Sequence, residues 1–309
     1  MRMKTITLSA LALMAAVGVL AETANYHTVK SFSPKSGGTL KVEAAFQDIK
    51  VDVAPGTAVE VTVDLKITTV PQDPKEIIKA FEPTFEEAGD TILVRSKSKF
   101  GFTFGFSSSS GTITVRMPPG MHLNLHTGSG DVSVKGDLGG MDLTCETGSG
   151  DVKVDGAARD LHAETGSGNV AVALSTPARS ADVHTGSGDV VFSGGAATFK
   201  GEAGSGDVTA DGLAGSAKMD TGSGDIKASW EQLAAGATVK TGSGSGSVRL
   251  TFPGSAALGG VLDTGSGDIR SDFPGTSSDR GRHWAFAGGS GVSQVSVETG
   301  SGDISVLKK

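Results

Sequence analysis

From Leu123 onward, apolar and polar residues alternate in short runs. Before each break the inward-reading positions are Leu123, Leu125 and Thr127; Leu143, Cys145 and Thr147; Ala181, Val183 and Thr185; Met219 and Thr221; Val239 and Thr241. After it come Val132 and Val134, Val152 and Val154, Val170 and Val172, Val190 and Phe192, Ile304 and Val306. A period of two sends successive side chains to opposite faces, so each run predicts a short strand with one buried face.

The break itself repeats. T-G-S-G begins at Thr127, Thr147, Thr165, Thr185, Thr221, Thr241, Thr264 and Thr299, with a ninth copy that has Ala203 for the threonine. The intervals are 20, 18, 20, 18, 18, 20, 23 and 35 residues, the last lengthened by an insertion between Phe273 and Val292. A looser turn rich in Gly, Ala and Pro closes each unit, as at Gly136–Gly140, Thr176-Pro177-Ala178 and Gly194-Gly195. Such a unit is too short for a strand–helix–strand element, which needs about 30 residues, but it holds two strands and two turns. Stacked units, each strand pairing with its own copy in the next, predict an all-β fold: a parallel β-solenoid, single-stranded and β-helix-like, with two short strands per rung. Nine rungs at ~4.8 Å give a rod of roughly 40 Å. Consecutive antiparallel hairpins are the alternative, disfavoured because the motif recurs once per pair of strands. In the turn, the glycines are expected to supply positive φ and the aspartate to accept local backbone N–H bonds. Asn169 replaces that aspartate in one copy and a serine does so in the Thr241 copy. Both can accept the same bond without a charge, so the position reads as structural.

Residues 22–120 lack the glycine turns and read as a β-rich cap ahead of the solenoid at 121–309. Leu40, Val42, Ala44 and Asp48-Ile49-Lys50-Val51 overlay Leu123, Leu125, Thr127 and Asp131-Val132-Ser133-Val134, which predicts a degenerate first rung with Ala44-Ala45-Phe46-Gln47 in place of T-G-S-G. Further strands are expected at Val59–Ile67, Thr91–Ser96 and Thr112–Met117. A short helix is expected over Pro74–Glu87, with Ile77, Ile78, Phe81 and Phe85 at helical spacing and Asp73 as its cap. Repeat arrays need such caps to cover a bare terminal rung.

Residues 1–21 read as a signal peptide: Arg2 and Lys4, an apolar run from Ile6 to Leu20, then Val19-Leu20-Ala21 as a cleavage site. An uncleaved anchor is the alternative, against which the run is short for a membrane span. The mature chain is expected to have no transmembrane segment and to reside in the periplasm, at the cell surface or outside the cell. The one cysteine, Cys145, cannot form an intramolecular disulfide, and its parity places it in the core. The formal charge of −7 becomes −9 once Arg2 and Lys4 are removed, which argues against nucleic acid as a partner.

The strand Val115-Arg116-Met117 followed by Pro118-Pro119-Gly120, and then every repeat from Leu123 to Val306, resemble the bacterial "putative adhesin" family, a domain of unknown function with stacked G-S-G-D-[VI] repeats. The resemblance spans most of the mature chain. It implies a solenoid in the cell envelope and brings no catalytic residues with it.

The residues themselves leave three chemistries to weigh. The G-S-G-D turn is similar to that of the calcium-binding nonapeptide roll, but the second turn of each unit lacks a regular G-G-x-G-x-D and the carboxylate row is interrupted. As a glycosidase pair the turn aspartates would stand about 5 Å apart, but a ladder gives its members one environment, whereas an acid and a base need different ones. His126, His162 and His184, with Glu146, Glu164 and Asp182, have outward parity and are candidate metal ligands, with a solvated sheet as the plainer reading. The expectation is a non-catalytic exported envelope or surface protein without a cofactor, binding a macromolecule such as a protein, glycan or cell-wall polymer. A carbohydrate-active β-helix enzyme and a calcium-binding β-roll-like protein are the alternatives. Near-identical rungs offer no unique site, so the candidate partner-binding residues are those that interrupt them: Phe100, Phe102, Phe104 and Phe106 in the stretch Lys99–Ser110, and Arg280, Arg282, His283 and Trp284 in the insertion from Thr276 to Gly291.

Overall fold

The structure, a computed structural model, describes residues 21–70, 73–96, 106–288 and 292–309. Residues 1–20 of the expected signal peptide, and Phe100, Phe102 and Phe104, lie outside the described residues.

The alternation produces strands as expected. The first eight elements are β1 (Glu22–Phe32), β2 (Thr39–Ala44), β3 (Asp48–Val53), β4 (Val59–Val70), α1 (Pro74–Phe81), β5 (Thr84–Ala88), β6 (Thr91–Ser96) and β7 (Phe106–Met117). Seven coils follow: β8 (His122–Thr127) with β9 (Val132–Asp137), β10 (Leu143–Thr147) with β11 (Val152–Ala157), β12 (Asp160–Thr165) with β13 (Val170–Leu174), and β14 (Ala178–Thr185) with β15 (Val190–Ser193). Then come β16 (Ala196–Ala203) with β17 (Val208–Leu213), β18 (Ser216–Thr221) with β19 (Ile226–Trp230), and β20 (Thr238–Ser243) with β21 (Val248–Phe252). The chain ends with β22 (Leu258–Thr264), β23 (Ile269–Ser271), the hairpin β24 (Gly275–Ser278) and β25 (His283–Phe286), and the coil β26 (Ser293–Thr299) with β27 (Ile304–Lys308).

Each T-G-S-G turn carries the chain from a fourteen-stranded sheet, sheet B, to a thirteen-stranded one, sheet A. Coil stacks on coil in parallel, for example Leu143 on Leu123 and Val152 on Val132. The inward residues of both sheets form one long core of Val, Leu, Ile and Ala, widened by buried Phe192, Phe199, Trp230 and Phe252. Cys145 lies within it between Leu125 and Ala163, fully buried.

The turn is held by bonds that run between coils. Thr147 Oγ1 donates to the Gly130 carbonyl of the preceding coil (2.8 Å) and accepts from the Gly150 N–H of its own turn (3.2 Å). The same pair of bonds recurs at Thr165, Thr185, Thr221 and Thr299. The aspartate does not close a local Asx-turn as expected. Asp131 Oδ1 accepts from the Asp151 N–H (2.9 Å), Asp151 from Asn169, Asn169 from Asp189, and so on along the rod, one coil to the next. An asparagine fits this ladder because only an acceptor oxygen is required.

The expected role of the turn glycines also needs correcting. None of the T-G-S-G glycines has positive φ; those that do include Gly136, Gly194 and Gly195 in the second corner. What the turn glycines provide is clearance. A Cβ on Gly150, Gly168 or Gly188 would stand 2.1 Å from the carbonyl oxygen of the matching glycine one coil before.

The Thr241 copy is shifted by two residues from the expected alignment. Its turn opens at Ser243, whose Oγ bonds Gly224 O and Gly246 N–H, while Ser247 takes the aspartate's place in the ladder. Val239 therefore pairs with Ala217, and Met219 with Thr241. Val248, directly after Ser247, decides the register: opening the turn at Thr241 would put Gly246 where every other coil has an apolar residue.

At the N-terminal end, β2 and β3 stack on β8 and β9 in the expected register, Leu40 on Leu123 and Ile49 on Val132. Gln47, fully buried, substitutes for the threonine: its Oε1 accepts from the Ala45 and Phe46 N–H groups and its Nε2 donates to Ser96 Oγ. This coil is not terminal, because β6 and β7 form another beyond it. Helix α1 is capped by Asp73, which accepts from the Lys75 N–H (2.9 Å). It stops at Phe81, not Glu87; Pro83 disfavours helical backbone at Glu82, and Phe85 belongs to β5. The helix packs against β1 and β4, with Phe81 edge-on to Phe46 and Phe85 beside Phe32.

At the C-terminal end the order in space departs from simple succession. β20 and β21 neighbour β26 and β27, not β22 and β23, which lie outside the final coil. The last coil in the sequence thus sits between two that precede it. The ladder follows the spatial order: Ser247 Oγ accepts from Asp303 N–H, and Asp303 Oδ1 from Asp268 N–H.

Candidate binding face

Because strands stack in register, each outward position of the repeat becomes a file along the rod. The residue before the turn threonine gives, in spatial order, Glu43, His126, Glu146, Glu164, His184, Glu202, Asp220, Gly242, Glu298, Asp263 and His283 on the outer face of sheet B. Two residues earlier, a second file runs through His162, Asp182, Lys200, Lys218 and Lys240.

The files are cross-linked. His126 Nδ1 lies 3.3 Å from Glu146, and His162 lies 3.5 Å from Glu164 and 3.8 Å from Asp182. His184 contacts Asp182 and lies 3.1 Å from Glu202. Lys200 and Lys218 each reach Glu202 at 3.2 Å, and Lys218 reaches Asp220 at 2.8 Å. The histidines and carboxylates marked by parity are thus brought together as expected, but with lysines among them, and among the described residues no three converge on a point where a metal ion could be held. The lysines carry no signal of their own in the sequence, because the contacts that join them to the neighbouring coil, Lys200 to Asp182 and Lys218 to Glu202, follow only from the stacking.

Along the rim of the face, Arg159 grips Asp142 with two bonds (2.9 and 2.8 Å), and Arg179 does the same to Asp160. The Arg179 bond, with help from Ser180 and the charge of Arg159, holds the Asp160 carboxyl down at about 2 against the opposing effect of burial. On the opposite side of this sheet, burial pushes the Cys145 thiol far up, so it carries no nucleophilic thiolate.

The file is broken once, at Gly242. Asp220 leans over the gap, and a Cβ there would come within 2.9 Å of its Oδ1. Around the gap is a cleft of about 520 Å³, lined by Asp220, Gly242, Glu298, Asp263 and the turn residues beside them. The insertion hairpin does not line it, but β25 pairs antiparallel to β22, whose Asp263 does. Of the four candidate residues there, Arg280 is exposed and has left-handed backbone (φ 59°). Arg282 bonds both carboxylate oxygens of Asp279 (3.0 Å) and the Gly265 carbonyl (3.3 Å). His283 Nδ1 lies 2.6 Å from Asp263, and Trp284 packs on the core with its Nε1 buried against Gly275 and without a partner. Three of the four therefore tie the hairpin to β22 and its turn, and Arg280 alone projects free among the described residues. In the aromatic stretch only Phe106 is described. It begins β7, where it pairs with Val70 and the serines after it pair with β4.

No curated protein matches the chain. Solved structures to which the chain is similar include a putative adhesin from Bacteroides fragilis, at 14% identity and TM-score 0.43, covering 91% of this chain and 97% of that one. Another, from Parabacteroides distasonis and likewise called a putative adhesin, has 11% identity and TM-score 0.36, covering 92% and 97%. A putative cell adhesion protein from Clostridium sporogenes has 11% identity and TM-score 0.25, covering 93% and 100%. Residues 39–307 match the model of the family described as Toastrack DUF4097, and the chain belongs to that family.

Proposed function

We propose that the chain is a non-catalytic, exported binding module that offers the outer face of sheet B to an extended macromolecule of the cell envelope or surface. The observation that carries this reading is the double file of charged and imidazole side chains, presented at coil spacing on a rigid parallel sheet. Repeating faces of this kind suit extended ligands, which bind through many similar contacts. The turn aspartates support a non-catalytic role: Asp131, Asp151, Asp189, Asp207, Asp225 and Asp303 each accept the same bond from the next coil, so no pair among them is set apart as acid and base. The names of the similar structures agree with a surface role.

The test uses the chain as bait on envelope extracts and on purified cell-wall polymers. Reversal of Lys200, Lys218 and Lys240 to Glu should lower capture at least tenfold while the circular dichroism stays unchanged. Capture that survives both this variant and Arg280→Glu would remove the face from consideration. Turnover of a glycan by the purified chain would replace the reading with an enzymatic one.

A further inference from the structure

The two sheets have four outer edges, and they are not alike. Sheet A ends in β1 and β23, and sheet B in β5 and β24. Three of these are short, with 3, 5 and 4 residues for β23, β5 and β24. Short edges are one of the ways proteins prevent strand pairing between molecules. β1 has 11 residues, no proline, and an unbroken register with β4 from Glu22 opposite Thr69 to Phe32 opposite Val59. No bulge turns it away, and among the described residues no strand lies beyond it. A full row of backbone donors and acceptors is therefore left for a partner strand.

The sequence of β1 specifies which partner. We propose that two copies of this chain pair through β1, antiparallel, about a two-fold axis at Tyr26. In that register Glu22 of each copy faces Lys30 of the other, Ala24 faces Thr28, Thr23 faces Val29, and Asn25 faces His27. Both charged residues are exposed, and neither has an ion-pair partner among the described residues. Val29, 48% exposed, gains the Thr23 methyl as a neighbour. Moving the axis to His27 sets Lys30 against Ala24 and Glu22 against Phe32, so the charge pairs select one register. Opposite charges across an antiparallel pair stabilise it, and like charges destabilise it. The self-complementary arrangement is what an isologous interface requires, and it joins sheet A of one copy to sheet A of the other.

Sedimentation of the whole chain in low salt, across a concentration series, tests this. The wild type should dimerise. Glu22→Lys and Lys30→Glu should each weaken the dimer by about tenfold or more, since two attractive contacts become repulsive. An equimolar mixture of the two variants should form a heterodimer, because each then supplies the charge the other lacks, and the double variant should recover the wild-type affinity. Tyr26→Cys should give a covalent dimer on oxidation, with Cys145 too buried to compete. A wild type that stays monomeric overturns the proposal. So does a dimer indifferent to the single reversals, or one whose loss the complementary charge does not repair.

Discussion

The turn threonines show how much one buried hydroxyl holds. Thr165 Oγ1 donates to Gly150 O (2.7 Å) and accepts from Gly168 N–H (3.1 Å), with 2% of the residue exposed. Thr165→Val keeps the shape and leaves both backbone groups buried without that partner, which should cost about 1–3 kcal/mol in urea unfolding. Thr241 has the same parity, but its hydroxyl is buried and unbonded because the turn has moved to Ser243. Thr241→Val should therefore be neutral or stabilising. Equal losses at the two sites would refute the hydroxyl's role. The inward parity of these threonines was legible in the alternation. The purpose of their oxygens was not, because the bond that each donates ends on a neighbouring coil, 15 or 17 residues back at Thr147, Thr165, Thr185 and Thr221. The turn glycines pose the same difficulty: a residue without a side chain reads alike whether it relieves backbone strain or makes room for the coil below.

For the elements, the alternation located the strands of the coils, and Asp73 located the start of α1. Its end falls earlier than the spacing predicts because Phe85 continues the helical pattern past Pro83, although proline restricts the residue before it. The ion pairs on the rim join neighbouring strands, and they make stability depend on pH. Asp160 titrates at about 2 in the folded chain, below its ordinary 3.8. A group depressed on folding stabilises the fold above its unfolded value, and that contribution is lost as pH falls. The wild type should lose stability between pH about 4 and about 2 more steeply than Asp160→Asn, which should already be weaker at neutral pH. Parallel pH profiles of the urea midpoint would show that the Arg179 contact does not bind the strands. The bonds of Arg282 to Gly265 and of His283 to Asp263 could not be seen in the sequence, because these partners follow from β25 lying antiparallel on β22.

At the scale of the molecule, both ends are interlaced. The coil of β2 and β3 lies inside that of β6 and β7, although it precedes it in the chain, and β26 and β27 lie inside β22 and β23. The alternation cannot reveal this, since every coil offers the same inward apolar period to whichever coil adjoins it. Only the 35-residue interval before the last turn marks the detour. β27 is enclosed on both sides, by β21 and β23, whereas strands at the edge of a sheet open more readily. Hydrogen exchange should find the amides of Ile304–Leu307 as protected as those of β13 and β15, with β23 and β24 exchanging faster. Fast exchange throughout β27 would contradict the enclosed position.

The interlacing also governs how such a chain can grow. Between β8 and β21 the coils meet through the same contacts, carbonyl over glycine, hydroxyl on carbonyl and side-chain oxygen on N–H, save that Ala203 brings no hydroxyl. A duplication of one repeat within this region would supply a coil that any other can accept, and lengthen the rod by about 4.8 Å. The same event inside an interlaced end would meet a neighbour whose place is already set by a returning segment. A rod longer by one repeat would therefore gain its extra turn between β8 and β21, with the interlaced coils at either end unchanged.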